Sequence, residues 1–344
     1  MRIAIVSDAW RPQINGIVRT IDAVVRHLER SGDEVRVFGP DRFPTLPCPT
    51  YPEIPLALFP SKRLTSMLEE FAPEAIHLAT EGPLGWAGRA FCLKRQLPFT
   101  TAYHTRFPEY VYARTRIPLA WTYAVVRRFH SRSSGVLVVA PTIRRELRKR
   151  GFSNLVPWSL GVDTNIFRPQ SRLDLECKRP IWLYAGRVAI EKNIKAFLNL
   201  DLPGSKWVAG GGPELERLKK RHGEVHFLGF LDTDALAQRY AQADCLVFPS
   251  VTDTFGLVMI EALASGVPVA AYPVSGPREI VTDPRVGALN PDLRTACLAA
   301  IGCHSEDCRR HAERFSWANC AQQFSASLHV IATAAQSWQR TVES

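Results

Sequence analysis

The chain has 344 residues, enough for two domains of ordinary size, and its 46% apolar and 22% charged residues are a normal globular balance. It contains no uncharged apolar run of about 18 residues and carries early charges at Arg2 and Asp8, so we expect neither a membrane-spanning helix nor a signal peptide. The eight cysteines are scattered without a Cys-x-x-Cys motif, which predicts reduced thiols in a cytoplasmic protein rather than a zinc site or a disulfide framework.

The formal charge of +10 comes entirely from the first half of the chain. Residues 1–170 contain 24 Lys or Arg and 14 Asp or Glu, whereas residues 171–344 contain 19 of each kind. This asymmetry indicates an anionic partner for the first half, either a nucleic acid or an anionic membrane surface.

The first 40 residues have the pattern of a βαβ unit. Residues 2–7 form a continuous apolar strand, a loop and a helix follow as far as about Arg30, and residues 34–39 form the next strand. Asn15 and Gly16 in the loop either bring the backbone close to a phosphate or form an ordinary turn. The G-x-G-x-x-G motif is absent from this unit, so the sequence lacks the nicotinamide fingerprint.

The next segments alternate between loops, strands and helices. Residues 40–60 are rich in proline, which predicts an extended surface loop. Residues 75–79 form a third strand, after which Glu81, Gly82 and Pro83 begin a helix. Residues 99–103 form a fourth strand that ends at His104, where open α/β sheets bind ligands, although a lone histidine is also compatible with a structural role.

Residues 110–150 are the most basic part of the chain. They contain ten Lys or Arg residues, a single acidic residue and several interleaved aromatic residues. Basic and aromatic residues on an amphipathic helix are typical of a membrane surface, whereas a solvated basic face is the alternative. A nucleic-acid partner is less favoured, because no recognition motif accompanies the charge. The predicted membrane or acceptor contacts are Glu81, Trp121, Tyr123, Arg127 and Arg128.

The second half begins after a joint at residues 161–169 and a polar linker. Residues 180–185 form a strand, and the loop that follows contains Gly186, Arg187 and Lys192. A glycine turn with two nearby cations between a strand and a helix can hold two phosphates. The G-x-x-x-x-G-K-[ST] motif of a Walker loop is missing, so this is a different kind of phosphate loop.

Two shorter motifs follow. Three glycines at residues 210–212 either permit a close backbone approach or belong to a plain loop. Asp232 and Asp234 have the spacing of an Asp-x-Asp metal motif, but they precede a helix. We therefore interpret them as helix-capping residues and predict no metal site.

Residues 249–270 combine a strand end, a turn, a helix, a second turn and a further strand. Asp253 and Thr254 are typical capping residues, and residues 255–264 form the predicted helix. A helix that begins directly after a strand presents unpaired N–H groups and a positive dipole end, which suits a diphosphate. Glu261 shares a helix face with Leu257, where its carboxylate could accept hydrogen bonds from sugar hydroxyls; a capped helix with one solvated glutamate is the alternative.

These motifs resemble those of the retaining glycosyltransferases of family 4, which have the GT-B fold. Residues 253–261 resemble the family's Glu-x7-Glu region, with Asp253 in place of the first glutamate, and residues 186–193 resemble its G-R-x-x-x-x-K-x loop. The resemblance implies an α/β protein with two facing Rossmann-like doubly wound domains and a cleft between them. It implies an acceptor and membrane-facing domain at residues 1–165, a donor domain at 175–310, and helices at 311–344 that cross back toward the first domain.

The resemblance also implies roles for individual residues. In the family, the loop cations neutralise the donor diphosphate, the first carboxylate region holds the sugar hydroxyls, the second glutamate holds the ribose, and a histidine contacts the transferred sugar. The implied catalytic residues are Arg187, Lys192, Asp253, Glu261 and His104. The implied donor-binding residues are Asn15, Gly16, Gly186, Gly229, Phe230, Thr254, Phe255, Gly256 and Leu257. Neither a metal nor another cofactor is implied.

Four segments narrow the resemblance to a bacterial subgroup that glycosylates lipids, including diacylglycerol glucosyl- and glucuronosyltransferases. These segments are SDAWRPQINGIVRT, ATEGPLG, TAYHTRFPEY and TDTFGLVMIEA. They imply a retaining, metal-independent hexosyltransferase that moves a sugar from UDP-glucose or UDP-glucuronate to diacylglycerol. The implied partners are the nucleotide sugar, the lipid acceptor and the anionic inner face of the cell membrane, on which the protein would be peripheral, and no nucleic acid.

Two alternative functions are kept. The first is a GDP-mannose-dependent α-mannosyltransferase that acts on a lipid or a polysaccharide. The second is a basic nucleotide- or nucleic-acid-binding module without catalysis.

Overall fold

The computed structural model describes residues 1–13, 15–49, 51–174 and 176–342, and within these ranges the side chains of residues 51–53 and 330–342 are not described. The chain divides into two compact units. The first unit consists of Met1–Leu160 and Trp317–Ser344, and the second of Gly161–Ser316. Residue 175, the predicted start of the donor domain, lies outside the described residues.

The elements of the first unit alternate between strands and helices. Its described strands are β1 (Arg2–Val6), β2 (Glu34–Phe38), β3 (Thr45–Cys48), β4 (Tyr51–Ala57), β5 (Ala75–Leu78), β6 (Thr100–Ala102), β7 (Gly135–Val138) and β8 (Leu155–Pro157). The described helices of the same stretch are α1 (Gly16–Arg30), α2 (Ser61–Phe71), α3 (Pro83–Lys94), α4 (Phe107–Thr115), α5 (Leu119–His130) and α6 (Pro141–Lys149).

The second unit repeats this alternation. Its described strands are β9 (Ile181–Ala185), β10 (Ser205–Ala209), β11 (His226–Gly229), β12 (Cys245–Phe248), β13 (Val269–Ala271) and β14 (Gly287–Leu289). Its described helices are α7 (Ile194–Leu198), α8 (Leu215–Lys219), α9 (Thr233–Gln242), α10 (Leu257–Ala264), α11 (Ser275–Ile280), α12 (Leu293–Ala300) and α13 (Ser305–Ala312). The last helix, α14 (Trp317–Val342), belongs to the first unit.

A parallel sheet forms the centre of the first unit. Among the described residues it has six strands in the order β2-β1-β5-β6-β7-β8. The residues of β1 from Ile3 to Val6 are almost fully buried, as expected for a parallel strand that is covered on both faces. The strand order reverses between β1 and β5, and ligands of open α/β sheets bind beyond the carboxyl ends of the strands at such a point.

The second unit contains a parallel sheet with the strand order of the Rossmann fold. Its six described strands are arranged as β11-β10-β9-β12-β13-β14, so the order reverses between β9 and β12. Trp182, Phe197 and Val247 lie in its buried apolar core. The predicted α/β fold with two doubly wound sheets is confirmed.

The proline-rich residues 40–60 differ from the prediction of an extended loop. β3 and β4 pair in antiparallel fashion, with Thr45 opposite Ala57 and Pro47 opposite Pro55. Both strands of a two-stranded ribbon are edge strands, where proline is tolerated although it cannot donate a ladder hydrogen bond. The proline content therefore led to the prediction of a loop where the structure has a β-hairpin.

Helix α14 packs against the first sheet. The indole N–H of Trp158 donates to the carbonyl of Cys320 at 3.0 Å, and the ring of Phe324 meets that of His77 edge to face at 4.8 Å. Within the described parts of the chain, no helix combines the length and the apolar character that a membrane span requires.

Candidate active site

Two loops meet at the carboxyl edge of the second sheet, where its strand order reverses. We call them the β9 loop (residues 186–193) and the β12 loop (residues 249–256). The Asn193 side-chain amide donates to the carbonyl of Pro249 at 3.1 Å, and the Thr252 hydroxyl donates to the carbonyl of Glu191 at 2.9 Å. The Lys192 ammonium forms an ion pair with the Asp253 carboxylate. The structure therefore brings two predicted site residues from distant segments into direct contact.

The β9 loop holds its cations on a fixed backbone. Gly186 has a φ of +140°, a conformation that L side chains rarely adopt. The Tyr184 hydroxyl donates to the carbonyl of Arg187 at 2.6 Å. Arg187 and Lys192 are both partly exposed, so their charges remain accessible to a ligand.

The glycines at residues 210–212 allow the β9 loop to pack directly against their backbone. Val188 N donates to the carbonyl of Gly211 at 2.8 Å, and a Cβ on Gly210 would lie 1.9 Å from the carbonyl oxygen of Gly186. A Cβ on Gly212 would lie 2.5 Å from the carbonyl oxygen of Val188. Of the two sequence interpretations, close backbone approach is confirmed, and the partner is the neighbouring loop.

Helix α10 begins later than the sequence predicts. Its first residue is Leu257, and its N-cap residue is Gly256, with a φ of +99°. The prediction that Asp253 or Thr254 occupies the capping position is wrong, because the left-handed turn at Gly256 moves the helix start past them. A glycine N-cap brings no side chain to the first N–H groups of the helix, and Asp253 lies where it pairs with Lys192.

Glu261 lies inside the second unit rather than on its surface. It is 4% exposed, and the Tyr240 hydroxyl of α9 donates to its Oε2 at 3.2 Å. A buried carboxylate requires hydrogen bonds to offset its lost hydration, so Tyr240 stabilises it in place. The alternative of a solvated glutamate is therefore wrong, and Tyr240 is a contact that the sequence motif did not reveal.

Two further candidates of the second unit, Gly229 and Phe230, lie at the end of β11. Gly229 has a φ of +69°, and its carbonyl accepts a hydrogen bond from Gly210 N at 2.7 Å. Phe230 follows it with 59% of its surface exposed. Asp232 accepts a hydrogen bond from Ala235 N at 2.8 Å at the start of α9, so the capping interpretation of the Asp-x-Asp motif is confirmed.

In the first unit, Asn15 is the N-cap of α1. Its Oδ1 accepts hydrogen bonds from Ile17 N and Val18 N, both at 3.0 Å. Gly16 is the first residue of the helix and is exposed. The side chain of Asn15 thus serves the helix, and Gly16 lies at a helix end with a positive dipole.

Asp8 is a residue of this edge that sequence reasoning missed. It is 6% exposed; its Oδ1 accepts from Leu84 N at 2.8 Å, and its Oδ2 accepts from the Thr80 hydroxyl at 2.8 Å and from Gly85 N at 3.3 Å. Burial raises the pKa of Asp8, although these hydrogen bonds favour its charged form. A Cβ on Gly82 would lie 2.4 Å from Asp8 Cγ, so the Gly-Pro start of α3 is shaped around this carboxylate.

Three histidines lie near the carboxyl edge of the first sheet. Burial lowers the pKa of His104 to about 4 and that of His77 to about 3, so both rings are neutral at neutral pH. The His104 ring meets Trp158 edge to face at 5.6 Å. His130 contacts Glu81, with Nε2 and Oε1 3.2 Å apart.

The predicted membrane contacts on α5 do not all lie on the exposed side of the helix. Trp121 is 71% exposed, and Arg127 and Arg128 are also exposed. Tyr123 is only 5% exposed: its hydroxyl donates to Glu109 at 2.6 Å, and its ring lies in the core. Tyr123 therefore does not belong to the exposed aromatic residues.

The chain is similar to known proteins in sequence. The family described as Glycosyltransferase Family 4 matches residues 14–166, and the family described as Glycosyl transferases group 1 matches residues 179–304. A GDP-mannose-dependent alpha-mannosyltransferase of Mycobacterium tuberculosis is 30% identical over 321 residues, which cover 85% of this chain and 84% of that protein. An alpha-monoglucosyldiacylglycerol synthase of Streptococcus pneumoniae is 25% identical over 345 residues, which cover 88% of this chain and 78% of that protein.

The chain is also similar to solved structures in fold. The sucrose-phosphate synthase of Thermosynechococcus elongatus matches with a TM-score of 0.71 and 22% identity, over 99% of this chain and 98% of that one. At this identity the likeness shows a shared fold.

Proposed function

The chain belongs to glycosyltransferase family 4, and from this membership we propose that it transfers a hexose or hexuronic acid from a nucleotide-diphospho-sugar to a membrane lipid, with retention at the anomeric carbon. The observation that carries the proposal is the meeting of the β9 and β12 loops in the second unit. There the Lys192–Asp253 pair, Arg187 and the start of α10 lie at the edge where sheets of this type bind ligands.

The leaving group explains why cations are needed at this edge. As the bond between the anomeric carbon and the diphosphate oxygen breaks, negative charge develops on the departing nucleoside diphosphate. Arg187, Lys192 and the positive dipole end of α10 would stabilise that charge, because they are held in place before the reaction begins. With this charge supplied by the protein, we propose that departure requires no metal ion, so a chelator should leave the transfer rate unchanged.

Retention of configuration follows if the acceptor attacks from the face that the diphosphate leaves. The acceptor hydroxyl oxygen then bonds to the anomeric carbon, and its proton passes to the departing diphosphate oxygen. No protein base is required for this step. His104, whose pKa burial lowers to about 4, stays neutral and would orient the sugar through a hydrogen bond.

The surface of α5 supports a lipid acceptor. Trp121, Val125 and Arg128 follow each other at helical spacing on one face, which we call the α5 outer face. Trp121 is 71% and Val125 55% exposed, whereas Val126 and Phe129 on the other side are buried. An exposed indole beside cations suits the headgroup region of an anionic membrane.

We take diacylglycerol as the acceptor and UDP-glucose or UDP-glucuronate as the donor. The name of the Streptococcus pneumoniae relative describes a diacylglycerol glycoside, which supports this choice. The excess positive charge of residues 1–170 matches an acceptor in an anionic membrane.

GDP-mannose is the second candidate donor, with a lipid or a polysaccharide as the acceptor. The observation in its favour is that the Mycobacterium tuberculosis relative, named as a GDP-mannose-dependent enzyme, is 30% identical to this chain over 321 residues. Catalysis by family 4 members argues against a nucleic-acid-binding module without activity.

One experiment separates these possibilities. The purified protein is mixed with vesicles of anionic lipid and diacylglycerol and is offered UDP-glucose, UDP-glucuronate, UDP-galactose or GDP-mannose separately. Nucleotide release and glycolipid are measured together, and the anomeric configuration of the product is determined by NMR. Glycolipid from a UDP-sugar with retained configuration supports the proposal, product from GDP-mannose alone supports the second candidate, and an inverted product overturns the mechanism.

A further inference from the structure

Glu81 and His130 form a contact that the donor site of the second unit does not use. Glu81 lies in the turn between β5 and α3, and His130 is the last residue of α5. His130 Nε2 and Glu81 Oε1 are 3.2 Å apart. The imidazole side chain is 1% exposed, whereas that of Glu81 is 17% exposed, so the carboxylate reaches the surface and the ring does not.

The hydrogen bonds fix the orientation of the imidazole. Thr101 Oγ1 lies 2.8 Å from His130 Nδ1. An ionised carboxylate can only accept, so Nε2 carries the proton that is donated to Glu81. In the neutral ring Nδ1 is then the acceptor, and the Thr101 hydroxyl donates to it. Thr101 thus holds the ring in the tautomer that points an N–H at Glu81.

The turn that carries Glu81 is held from the other side by Asp8. The carboxylate of Asp8 binds the Thr80 hydroxyl and the N–H of Leu84, residues on either side of Glu81. A Cβ on Gly85 would lie 1.8 Å from the carbonyl oxygen of Thr80, so α3 also packs directly against the turn. The main chain at Glu81 is therefore fixed, and His130 fixes its side chain.

The second carboxylate oxygen remains open. Oε2 of Glu81 makes no hydrogen bond to any residue that the structure describes. A partly exposed carboxylate that is held at one oxygen, with the other making no hydrogen bond to the described residues, is suited to accept a hydrogen bond from a hydroxyl group. The location at the carboxyl edge of the first sheet, beside the point where the strand order reverses, is where a ligand of this unit is expected.

We propose that Glu81 binds the acceptor hydroxyl through Oε2 and that His130 is the residue that positions Glu81 for this contact. The inference rests on the proposed function and extends it, because it names the group that holds the acceptor and the residue that orients that group. His130 touches neither substrate. Its effect on the reaction passes entirely through the carboxylate.

The test measures acceptor and donor dependence separately. Steady-state rates are recorded with diacylglycerol varied at saturating donor, and then with the donor varied at saturating diacylglycerol, for wild type, Glu81→Gln, His130→Phe and His130→Gln. Hydrolysis of the donor without acceptor is recorded for each protein. Thermal unfolding reports the folded state of each variant.

We expect an effect confined to the acceptor. Glu81→Gln should lower kcat/KM for diacylglycerol on the order of 10- to 100-fold, because a hydrogen bond to a charged carboxylate is stronger than one to a neutral amide. His130→Phe should lower it about tenfold, whereas His130→Gln should recover most of it, since the glutamine amide can also donate to Glu81. The KM for the donor and the rate of donor hydrolysis should change less than about twofold in all three variants.

His77 is the matched control. Like His130, it is almost fully buried, and its Nδ1 lies 2.8 Å from a threonine hydroxyl of β6, that of Thr100. Unlike His130, it contacts no carboxylate among the described residues. His77→Phe should lower stability without changing acceptor dependence. If His130→Phe alters the donor and acceptor constants alike, or changes the acceptor constants no more than His77→Phe does, the positioning role is overturned.

The outcomes also separate this inference from the proposed function. If wild type forms glycolipid and Glu81→Gln, still folded, forms it with the same kcat/KM for diacylglycerol, only the acceptor role of Glu81 is overturned. If wild type releases nucleotide but transfers sugar to no lipid, the proposed acceptor fails, and the role of Glu81 as its binding group fails with it.

Discussion

Arg187 and Lys192 are the residues on which the proposed chemistry depends most. Replacing either residue by alanine should lower turnover on the order of 100-fold, since each removes a preorganised group that stabilises charge in the transition state. Sugar transfer at saturating donor is the measurement. The folded state of each variant is checked by thermal unfolding.

Lys195 provides the control for these two variants. It lies on α7, three residues after Lys192, with 48% of its side chain exposed. Lys195→Ala removes the same charge from the same neighbourhood and should change turnover less than about twofold. Equal losses of turnover in Lys192→Ala and Lys195→Ala would show that the cations act through their overall charge and not through a specific contact of Lys192.

The buried His77 predicts a pH dependence of stability. Its pKa is lowered from 6.5 to about 3 by burial, so the unfolded chain takes up a proton below about pH 6.5 that the folded protein excludes. The stability that the neutral ring contributes is complete above pH 6.5 and is lost as the pH falls toward 3. In this window the free energy of unfolding should fall by up to about 1.4 kcal/mol per pH unit from this group.

Urea unfolding of wild type and His77→Phe at several pH values isolates this effect. The two proteins share their other titrating groups, so the difference between their free energies of unfolding should change between about pH 6.5 and pH 4 and stay constant above that range. A constant difference throughout would show that folding does not lower the pKa of His77.

At the residue scale, the sequence identified the cations and carboxylates but not their partners. Residue type, position in a loop or on a helix face, and the resemblance to the family together made Lys192, Asp253 and Glu261 candidates. The spacing of residues along the chain does not reveal contacts between distant segments. The hydrogen bond of Tyr240 to Glu261 and that of Leu84 N to Asp8 were therefore missed. Tyr123 was assigned to the surface from its neighbours in sequence, and only packing shows which helix face it occupies.

At the scale of elements, the three glycines at residues 210–212 give a prediction with an internal control. Gly210→Ala places a Cβ 1.9 Å from the Gly186 carbonyl oxygen at a φ of +135°, so the β9 loop must move. Gly211→Ala meets nothing within 4 Å. We expect Gly210→Ala to lose at least about 2 kcal/mol of stability and much of the transfer activity, and Gly211→Ala to lose little of either.

Denaturant unfolding and the transfer assay measure both quantities. If both alanine variants behave like wild type, the contact between the glycine segment and the β9 loop has no role in the site. Equal damage in both variants would instead mean that the segment needs glycine for flexibility rather than for close approach.

Buried apolar strands were the elements whose bounds the sequence predicted most closely. β9 (Ile181–Ala185) begins one residue after the predicted strand at residues 180–185 and ends where it was predicted to end, because a buried parallel strand is a continuous apolar run between turn residues. The start of α10 was misplaced by two residues, since only the backbone conformation of Gly256 shows where the helix begins. The β3–β4 hairpin was missed because its prolines resemble a loop.

At the scale of the whole molecule, the uneven charge predicts binding to anionic membranes. Trp121→Ala combined with Arg128→Ala should weaken binding to anionic vesicles about tenfold or more, because the double variant removes one headgroup-level indole and one cation. Arg310→Ala, which removes an exposed cation from the second unit, should bind like wild type. Co-sedimentation with vesicles at low and moderate salt measures this.

Binding to neutral and anionic vesicles alike would contradict an electrostatic role for the first half of the chain. Tight binding to RNA with no preference for anionic vesicles would instead favour the nucleic-acid alternative.

The alternation of strands and helices predicted two doubly wound sheets, and the structure has them. The order of strands within each sheet does not follow from the sequence pattern, because pairing between strands depends on packing rather than on local pattern. The reversal points of the two sheets, which position the β9 and β12 loops in the second unit and Glu81 in the first, therefore emerged only from the structure. Which donor and which acceptor bind depends on the placement of individual atoms, which the spacing of residues in the sequence does not determine.

The most direct test of a donor diphosphate at the β9 loop is a calorimetric titration of UDP and GDP into wild type and Lys192→Ala. We expect wild type to bind one of the two nucleotides and Lys192→Ala to bind the same nucleotide at least about tenfold more weakly, since a charge-assisted phosphate contact is lost. If wild type binds neither nucleotide, or if Lys192→Ala binds as tightly as wild type, the diphosphate does not lie at this loop.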